Sequence, residues 1–315
     1  MARSLREGEA RGAEAPAVRL EGLTKRYGPH RGVESLTLDV PRGQVLGFLG
    51  PNGAGKSTTI RLIMGLSRPH AGSVEVLGGS PREVALRRRV GYLPGDLMLF
   101  PALTARDLVA RVARIHGGVP DRDVEELASR LSAELDRPMR ALSKGNRQKI
   151  GVVLAFMHRP ELLVLDEPTS GLDPLLQDEF AQLVRERVHD GATVFLSSHD
   201  LDEVERVVDR VAIIRDGRLV AVDTVNSLRE RAPRVVQLHF DKAPASAALA
   251  AIPGVRVMDA WEETMRLEVV GPMAPLLRAI GTLGVTDLVA KPAGLDEIFR
   301  AFYRGTDGQE GHRAS

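Results

Sequence analysis

The chain has 315 residues, enough for one large α/β domain and a smaller second one. Lys and Arg number 43 against 42 Asp and Glu, without a long basic stretch, so we expect no nucleic acid as the main partner. Cysteine is absent, which excludes disulfides and thiolate metal sites, and no apolar run approaches the roughly 20 residues of a membrane helix.

The N-terminal part of the chain predicts a leader followed by a small sheet. Residues 1–16 carry charge without an apolar core, so we expect a disordered leader and not a secretion signal. Residues 18–40 have the pattern of short strands around a turn at 27–29, which predicts a small antiparallel sheet. A further strand is predicted at 45–49, because this short run is apolar throughout.

The loop after that strand is the most informative segment of the sequence. It consists of Gly50, Pro51, Asn52, Gly53, Ala54, Gly55, Lys56 and Ser57, with Thr58 opening a helix-forming run. Glycines allow backbone N–H groups to surround phosphate oxygens, and the N-terminal end of the next helix adds positive potential. Lys56 would contact the outer phosphates and the Ser57 hydroxyl would ligate Mg²⁺. The segment therefore predicts a phosphate-binding loop.

A second apolar run, residues 161–167, ends in the carboxylates Asp166 and Glu167. It predicts a strand buried in a parallel sheet, whose carboxyl end lies at the edge where such sheets bind ligands. There Asp166 would hold Mg²⁺ through a water, and Glu167 would orient and polarise a water that attacks the γ-phosphate. Between the two motifs, helical periodicity predicts an insertion over residues 96–142.

The C-terminal part of the chain has a different pattern, and we place the end of a first domain, residues 17–228, before it. Over residues 229–304 the order strand, helix, strand, strand, helix, strand predicts a split βαβ arrangement in an α+β accessory domain. Met258 and Trp261 are expected in its core. An amphipathic helix is expected at 295–302 and a flexible tail at 305–315.

Several segments, in this order, resemble the ATP-binding subunit of ABC transporters over residues 18–228, roughly two thirds of the chain. Besides the two motifs above, the resemblance rests on residues 142–149 (the signature segment), residues 170–173, which resemble a dimer-contact loop, and residues 196–200, which resemble a strand end with a switch histidine. It implies an α/β fold: a P-loop NTPase core with a RecA-like parallel sheet, a small antiparallel β subdomain and a helical insertion.

The resemblance also implies ATP and Mg²⁺ as cofactors and roles for residues of the site. Tyr27 stands where the family has an aromatic residue that stacks on adenine. His199 would contact the γ-phosphate and act in catalysis together with Glu167 and Lys56. A packed turn aromatic and an ordinary strand-end histidine are the alternatives for Tyr27 and His199.

In the family, ATP is bound between two copies of the subunit. The resemblance implies that Ser143, Gly145 and Asp173 complete the site of the other copy, so that a homodimer forms on ATP binding. The partner would be a transmembrane permease, contacted near the apolar run at residues 97–101, and the chain would be cytoplasmic and peripheral on the inner face of the cell membrane. We expect the accessory domain to stabilise the dimer or to regulate it.

Two departures from the family pattern are visible. In the signature segment Lys144 and Asn146 replace the usual first glycine and the glutamine, while Ser143 and Gly145 are kept. Gly95 stands where the family usually has a glutamine that reaches Mg²⁺ and the attacking water. Both departures, and the accessory domain, resemble the branch that exports drugs, antibiotics and lipids.

Two other functions remain as alternatives. One is a soluble ABC-type ATPase that acts on nucleic acid or ribosomes; such proteins usually carry tandem ATPase halves or a long coiled-coil insert, and this chain has one half and a short insertion. The other is a small-molecule kinase or a GTPase, although a guanine-binding Asn-Lys-x-Asp segment is absent. The transported substance is not encoded in this chain, because it contacts the membrane partner.

Overall fold

The computed structural model describes residues 15–28, 30–97, 100–200, 205–231, 233–242 and 246–291. The chain divides between Val222 and Asp223 into two compact units. The boundary expected after residue 228 falls within the helix Val225–Arg231. Residues 1–14 of the expected leader, the helix at 295–302 and the tail at 305–315 lie outside the described residues.

The first unit is built from strands and α-helices, with three consecutive strands at its start and three consecutive α-helices near its middle. In order, they are β1 (Val18–Tyr27), β2 (His30–Val40), β3 (Val45–Leu49), α1 (Lys56–Ile63), β4 (Ala71–Val76), α2 (Val84–Arg87), β5 (Val90–Leu93), α3 (Ala105–Ile115), α4 (Asp121–Arg130), α5 (Lys144–Phe156), β6 (Leu162–Asp166), α6 (Pro174–His189), β7 (Thr193–Ser198), β8 (Arg210–Arg215) and β9 (Arg218–Thr224). The strands predicted at 45–49 and 161–167, and the helical insertion, are confirmed.

The central sheet of this unit has the strand order β5-β6-β7-β3-β8-β9. Strand β3 runs parallel to β7 and β8, and β6 runs parallel to β5 and β7. Strands β3, β6 and β7 are buried at every residue, as expected of parallel strands covered on both faces. Because β7 lies between β3 and β6, the loop after β3 and the carboxylates after β6 come to the same edge of the sheet.

A second sheet of this unit is antiparallel, in the order β2-β1-β4, as the short strands around the turn at 27–29 predict. It shares one hydrophobic core with the central sheet, since Leu20 of β1, Leu38 of β2 and Phe48 of β3 belong to the same buried cluster. This packing fixes β1 and β2 beside the phosphate loop.

A two-residue turn, Asp216 and Gly217, connects β8 and β9, with φ of 50° and 77°. Positive φ at both central residues is typical of the type I′ turn, which suits the twist of a hairpin. The turn therefore closes a hairpin between two neighbouring strands of the central sheet. The turn touches the phosphate loop, because the N–H of Gly217 donates to the carbonyl of Ala54 at 3.0 Å.

The second unit is an α+β sandwich with one layer of helices. Its elements are α7 (Val225–Arg231), β10 (Arg234–Phe240), α8 (Ser246–Ala250), β11 (Val255–Trp261), β12 (Thr264–Val269), α9 (Ala274–Ile280) and β13 (Val285–Lys291). The sheet order is β11-β12-β10-β13, and all neighbours are antiparallel. This is the order of the split βαβ arrangement, as predicted.

The core of the second unit lies on one face of this sheet, where Val236, Leu238 and Leu267 are buried. The expectation that Met258 and Trp261 belong to this core is wrong: both are exposed, to 45% and 46%. The register of β11 against β12 shifts after residue 257, so the alternation of inward and outward side chains is interrupted there. In the described part of the chain, no helix is long and apolar enough to span a membrane.

Candidate nucleotide site

The phosphate loop joins β3 to α1 and is shaped by glycines where no side chain would fit. Gly53 and Gly55 have φ of 83° and 110°, in the left-handed region that favours glycine. A Cβ on Gly50 would lie 2.4 Å from the carbonyl oxygen of Ile214, and one on Gly55 would lie 2.5 Å from that of Gly32. The neighbouring strands therefore hold the backbone of the loop closely on its inner side.

Lys56 is the first residue of α1, and its side chain is only 7% exposed. Its ammonium group donates to the carbonyl oxygens of Gly50 at 2.6 Å and Pro51 at 3.3 Å. It also lies 3.5 Å from Oε1 of Glu167. These contacts hold the cation at the start of the loop, and an anionic phosphate bound there would be attracted by it and by the N-terminal end of α1.

The two carboxylates after β6 lie in different environments. Asp166 is buried at the end of the strand, and its Oδ1 accepts a hydrogen bond from the Ser197 hydroxyl at 2.5 Å. Glu167 has a left-handed φ of 51°, and its N–H donates to the carbonyl of Ser197 at 3.0 Å. The left-handed residue follows directly after Asp166, at which the strand ends.

The Glu167 carboxylate bridges the other two residues predicted to be catalytic. Its Oε2 lies 2.7 Å from Nδ1 of His199, and its Oε1 faces the Lys56 ammonium. His199 follows β7 directly and is well exposed, so its ring can turn toward solvent or toward a ligand. The structure therefore brings Lys56, Glu167 and His199 together, although they are far apart in sequence.

A cleft of about 430 Å³ opens beside this cluster. Its lining includes ten of the residues predicted for the site, namely Tyr27, Pro51, Asn52, Gly53, Gly55, Lys56, Ser57, Thr58, Asp166 and Glu167. Tyr27 is 44% exposed at the rim, with the Lys25 ammonium 5.5 Å from its ring centroid. The ring is therefore accessible to a ligand. Its stacking on adenine stays a prediction.

Tyr92 lines the same cleft and was not predicted for the site. Burial raises the pKa of its hydroxyl, and the negative charge of Asp166 raises it further, while the nearby Arg61 has the opposite effect. Tyr92 therefore remains a neutral hydrogen-bonding group beside the carboxylate at physiological pH. Its signal in the sequence was weak, because it lies in a short strand of ordinary apolar character.

Oxygen ligands suitable for Mg²⁺ are present on the two sides of the cleft. Mg²⁺ prefers carboxylate and hydroxyl oxygens together with waters and phosphate oxygens. Asp166 offers Oδ2, since its Oδ1 is engaged by Ser197, and Ser57 lines the cleft at the first turn of α1. The donor set fits a nucleotide-bound magnesium ion, which these two residues would hold.

The signature segment and the dimer-contact loop do not take part in the lining of this cleft in the described structure. Ser143 caps α5, its hydroxyl accepting a backbone N–H of the first turn at 3.1 Å, and Asp173 caps α6 in the same way at 3.1 Å. A Cβ on Gly145 would lie 2.7 Å from the carbonyl oxygen of Gly171, so these two segments pack directly against each other.

Gly95 lies against the predicted metal ligand. A Cβ at this position would be 3.2 Å from Cγ and from Oδ2 of Asp166. Glycine has no side chain, so the contact that the family's glutamine makes is either absent here or made by water or by Asp96, and Asp96 lines the cleft. The geometry adds a steric reason for glycine, because any side chain would begin inside the contact distance of Asp166.

Sequence reasoning also missed Gln148, the residue that connects α5 to the acidic strand end. Its side-chain amide donates to the carbonyl oxygens of Glu167 and Pro168. The signal was present in the helical periodicity: Gln148 occupies the same buried face as Val152 and Phe156, four and eight residues later. A polar residue at a buried helical position must find internal hydrogen-bond partners.

Comparison with known proteins supports the same family. The ABC transporter family profile matches residues 33–170. The Nod factor export ATP-binding protein I of Ralstonia nicotianae is 33% identical over 300 residues, which cover 90% of this chain and 92% of the relative. The bacitracin transport ATP-binding protein BcrA of Bacillus licheniformis is 36% identical over 229 residues, 71% of this chain and 74% of BcrA.

Among solved structures, one described as the ATP-binding subunit of an ABC transporter is 32% identical, with a TM-score of 0.62. The match covers 68% of this chain and 92% of that chain. These similarities confirm the predicted fold class and disfavour a small-molecule kinase or a GTPase. With a relative above 30% identity matching along both units, the chain belongs to the ATP-binding subunits of ABC transporters, which bind and hydrolyse ATP.

Proposed function

We propose that this chain is the motor subunit of an exporter, in which two copies close on two ATP molecules and drive a separate permease. One observation carries the proposal. Lys56, Glu167 and His199 converge beside the cleft, while Ser143 and Gly145 lie outside the cleft lining of their own chain. A second copy, facing the first, could present these residues to the phosphates that the first copy holds.

In this mechanism Lys56 binds the outer phosphates. Its ammonium exchanges the carbonyls of its own loop and the Glu167 carboxylate for phosphate oxygens, which frees Glu167 to face the attacking water. Magnesium, held by Ser57 and Asp166, would neutralise phosphate charge when it is bound with the nucleotide. The loop N–H groups and the N-terminal end of α1 position the phosphates.

Glu167 then acts as the base that orients and polarises the water, because its carboxylate is the one negative group of the cluster that faces both Lys56 and His199. His199 contacts the carboxylate through Nδ1, and in the form that is protonated on both nitrogens its ring also donates to the γ-phosphate from Nε2. The pairing predicts that Glu167 and His199 move together when nucleotide enters.

The permease partner and the direction of transport are supported by the relatives. The names of two of them refer to Nod factor export and bacitracin transport. Phe100, at the entry of the helical insertion, is 67% exposed, as a docking residue for a partner helix would be. We place the subunit on the cytoplasmic face of the membrane, bound to that permease, and assign the second unit a dimer-stabilising or regulatory role.

Substitution of the proposed base tests the chemistry. Glu167→Gln keeps the shape but loses the charge, so ATP binding should persist while turnover falls roughly a hundredfold. The matched control is Glu126→Gln, an exposed carboxylate on α4, which should leave turnover unchanged. A Glu167→Gln variant that hydrolyses ATP at the parental rate would show that another group is the base.

The two-copy arrangement is tested by sizing the purified protein. Glu167→Gln should be monomeric without nucleotide and dimeric with ATP. Adding Ser143→Arg should abolish this dimer but preserve ATP binding, because Ser143 serves the other copy. An ATP-dependent dimer that survives Ser143→Arg would contradict the shared site.

Co-expression tests the partner. If a neighbouring gene encodes a multi-span membrane protein, the subunit co-expressed with that protein should sediment with membranes and be released by detergent. If it instead stays in the soluble fraction and binds ribosomes or DNA at physiological salt, the soluble ABC-type ATPase is the better interpretation.

A further inference from the structure

Gln148 is a buried polar side chain with an unusual pair of partners. It lies on α5 and is only 5% exposed. Its amide nitrogen donates to the carbonyl oxygens of two consecutive residues, Glu167 at 3.2 Å and Pro168 at 2.9 Å. A side-chain amide has two N–H donors, so both are used on the backbone of the segment that carries the proposed base.

The backbone of Glu167 needs such support. Its φ of 51° lies in the left-handed region, which a non-glycine residue keeps only where its surroundings hold it. The N–H is held by the carbonyl of Ser197, and the carbonyl accepts from Ser170 N–H at 3.2 Å as well as from Gln148. The turn is thus held from β7 by Ser197 and from α5, the helix that begins in the signature segment, by Gln148.

The start of α5 is attached to the same segment at two more points. Gly145 approaches the carbonyl of Gly171 so closely that a Cβ would be 2.7 Å away, and the Lys144 ammonium donates to the Ser170 hydroxyl at 3.3 Å. The first two turns of α5 and the segment after β6 therefore form one packed block. A shift at Ser143, the N-terminal cap of this helix, would be passed to Glu167 through these contacts.

We propose that Gln148 is a positioning residue that couples the signature segment to Glu167 of the same chain. When the signature segment engages the nucleotide of the second copy, Gln148 transmits the new position of α5 to the backbone of Glu167 and sets the direction of its carboxylate. Hydrolysis in one site then depends on occupancy of the other. This inference rests on the proposed role of Glu167 and on the shared site.

Gln148→Met tests the coupling, because methionine has a similar length and an apolar end that cannot donate. The expected result is a kcat lowered about tenfold or more, with the KM and the Kd for ATP within about threefold of the parent. The matched control is Gln182→Met on α6, an exposed glutamine that donates to Glu186. It should leave both parameters unchanged.

A second variant separates hydrogen bonding from packing. Gln148→Glu keeps the shape of the side chain but places an acceptor against the two carbonyls, so it should lower kcat at least as much as Gln148→Met. If Gln148→Met has a clearly lower unfolding temperature than the parent, the kcat of Gln148→Glu is the measurement that tests the proposal. Parental kcat in a folded Gln148 variant, or equal changes in kcat and KM, would overturn the proposal.

A double-mutant cycle separates this proposal from the role of Glu167. If Gln148 acts through Glu167, adding Gln148→Met to Glu167→Gln should change the residual turnover by less than about twofold. Should Glu167→Gln alone keep the parental rate, the assigned base and this coupling both fail. Should Glu167→Gln be inactive while Gln148→Met turns over normally, only the coupling fails.

Discussion

Substituting Gly95 gives the sharpest prediction, because the structure and the family resemblance point in opposite directions. The usual family residue at this position is glutamine, so a simple restoration would be expected to improve the site. The structure instead places any Cβ 3.2 Å from Oδ2 of Asp166, the oxygen available to Mg²⁺. Asp166 is held on its other side by the Ser197 hydroxyl at 2.5 Å, so it can yield only by disturbing that bond.

The size of the effect follows from this contact. Overpacking by one carbon costs about 1–3 kcal/mol, and the lower end applies here because the required shift is a few tenths of an ångström. The atoms that must shift include Oδ2 of Asp166, the oxygen expected to contact Mg²⁺, so we assign this cost to Mg²⁺ binding. A cost of about 1 kcal/mol corresponds to roughly a fivefold change in affinity. The Mg²⁺ concentration at half-maximal ATPase rate should therefore rise about fivefold in Gly95→Ala, and at least as much in Gly95→Gln.

The assay is a Mg²⁺ titration of steady-state ATP hydrolysis, with thermal unfolding measured in parallel. Gly281→Ala is the matched control, since a Cβ there would meet only the carbonyl of Arg278 at 3.7 Å. Half-saturating Mg²⁺ within about twofold of the parent in Gly95→Ala would refute the steric reasoning. So would a Gly95→Gln variant with faster turnover and an unchanged Mg²⁺ requirement.

Three further predictions concern binding, docking and pH. Lys56→Ala should weaken ATP binding at least tenfold, about 1.4 kcal/mol, measured by equilibrium titration, because the buried ammonium no longer meets the phosphates. Phe100→Asp should release the subunit from membranes containing its permease without changing ATP affinity, because it places a negative charge on the exposed apolar surface proposed to bind the permease. Burial, and next the neighbouring His116, lowers the pKa of His158 to about 4 from its ordinary 6.5. The unfolded state therefore binds more protons between these values, so stability is fully present above pH 6.5 and is lost as pH falls toward 4. His158→Gln should flatten this dependence in urea unfolding measured across that pH range.

The parts of the site that could be predicted are those with local chemical signatures. Glycines followed by Lys56 and Ser57 identify a phosphate loop because the backbone geometry and the charge are both encoded within eight residues. The positions of Asp166 and Glu167 at the end of β6 could be predicted because a wholly apolar strand is followed at once by acids, while their roles stay predictions.

Contacts between segments that are distant in sequence could not be predicted in the same way. Nothing local indicates that Gln148 reaches the carbonyl of Glu167, since that depends on how α5 packs beside β6. Trp261 was expected in the core, but it is exposed in an edge strand whose register shifts. A single irregularity in a strand changes which face of the sheet a side chain occupies, and the residue types of the strand do not reveal that irregularity.

The turn between β8 and β9 has a consequence for the affinity with which the phosphate loop binds a ligand. Its Gly217 accepts from the N–H of Glu34 at 2.8 Å and donates to the carbonyl of Ala54, so it joins β2 to the phosphate loop. The loop is thereby tied to both sheets of the first unit through backbone bonds that no side-chain substitution removes. The conformational entropy of the loop is lost during folding and not during binding. A nucleotide therefore binds to a loop that is already ordered, and most of the contact energy remains available as affinity.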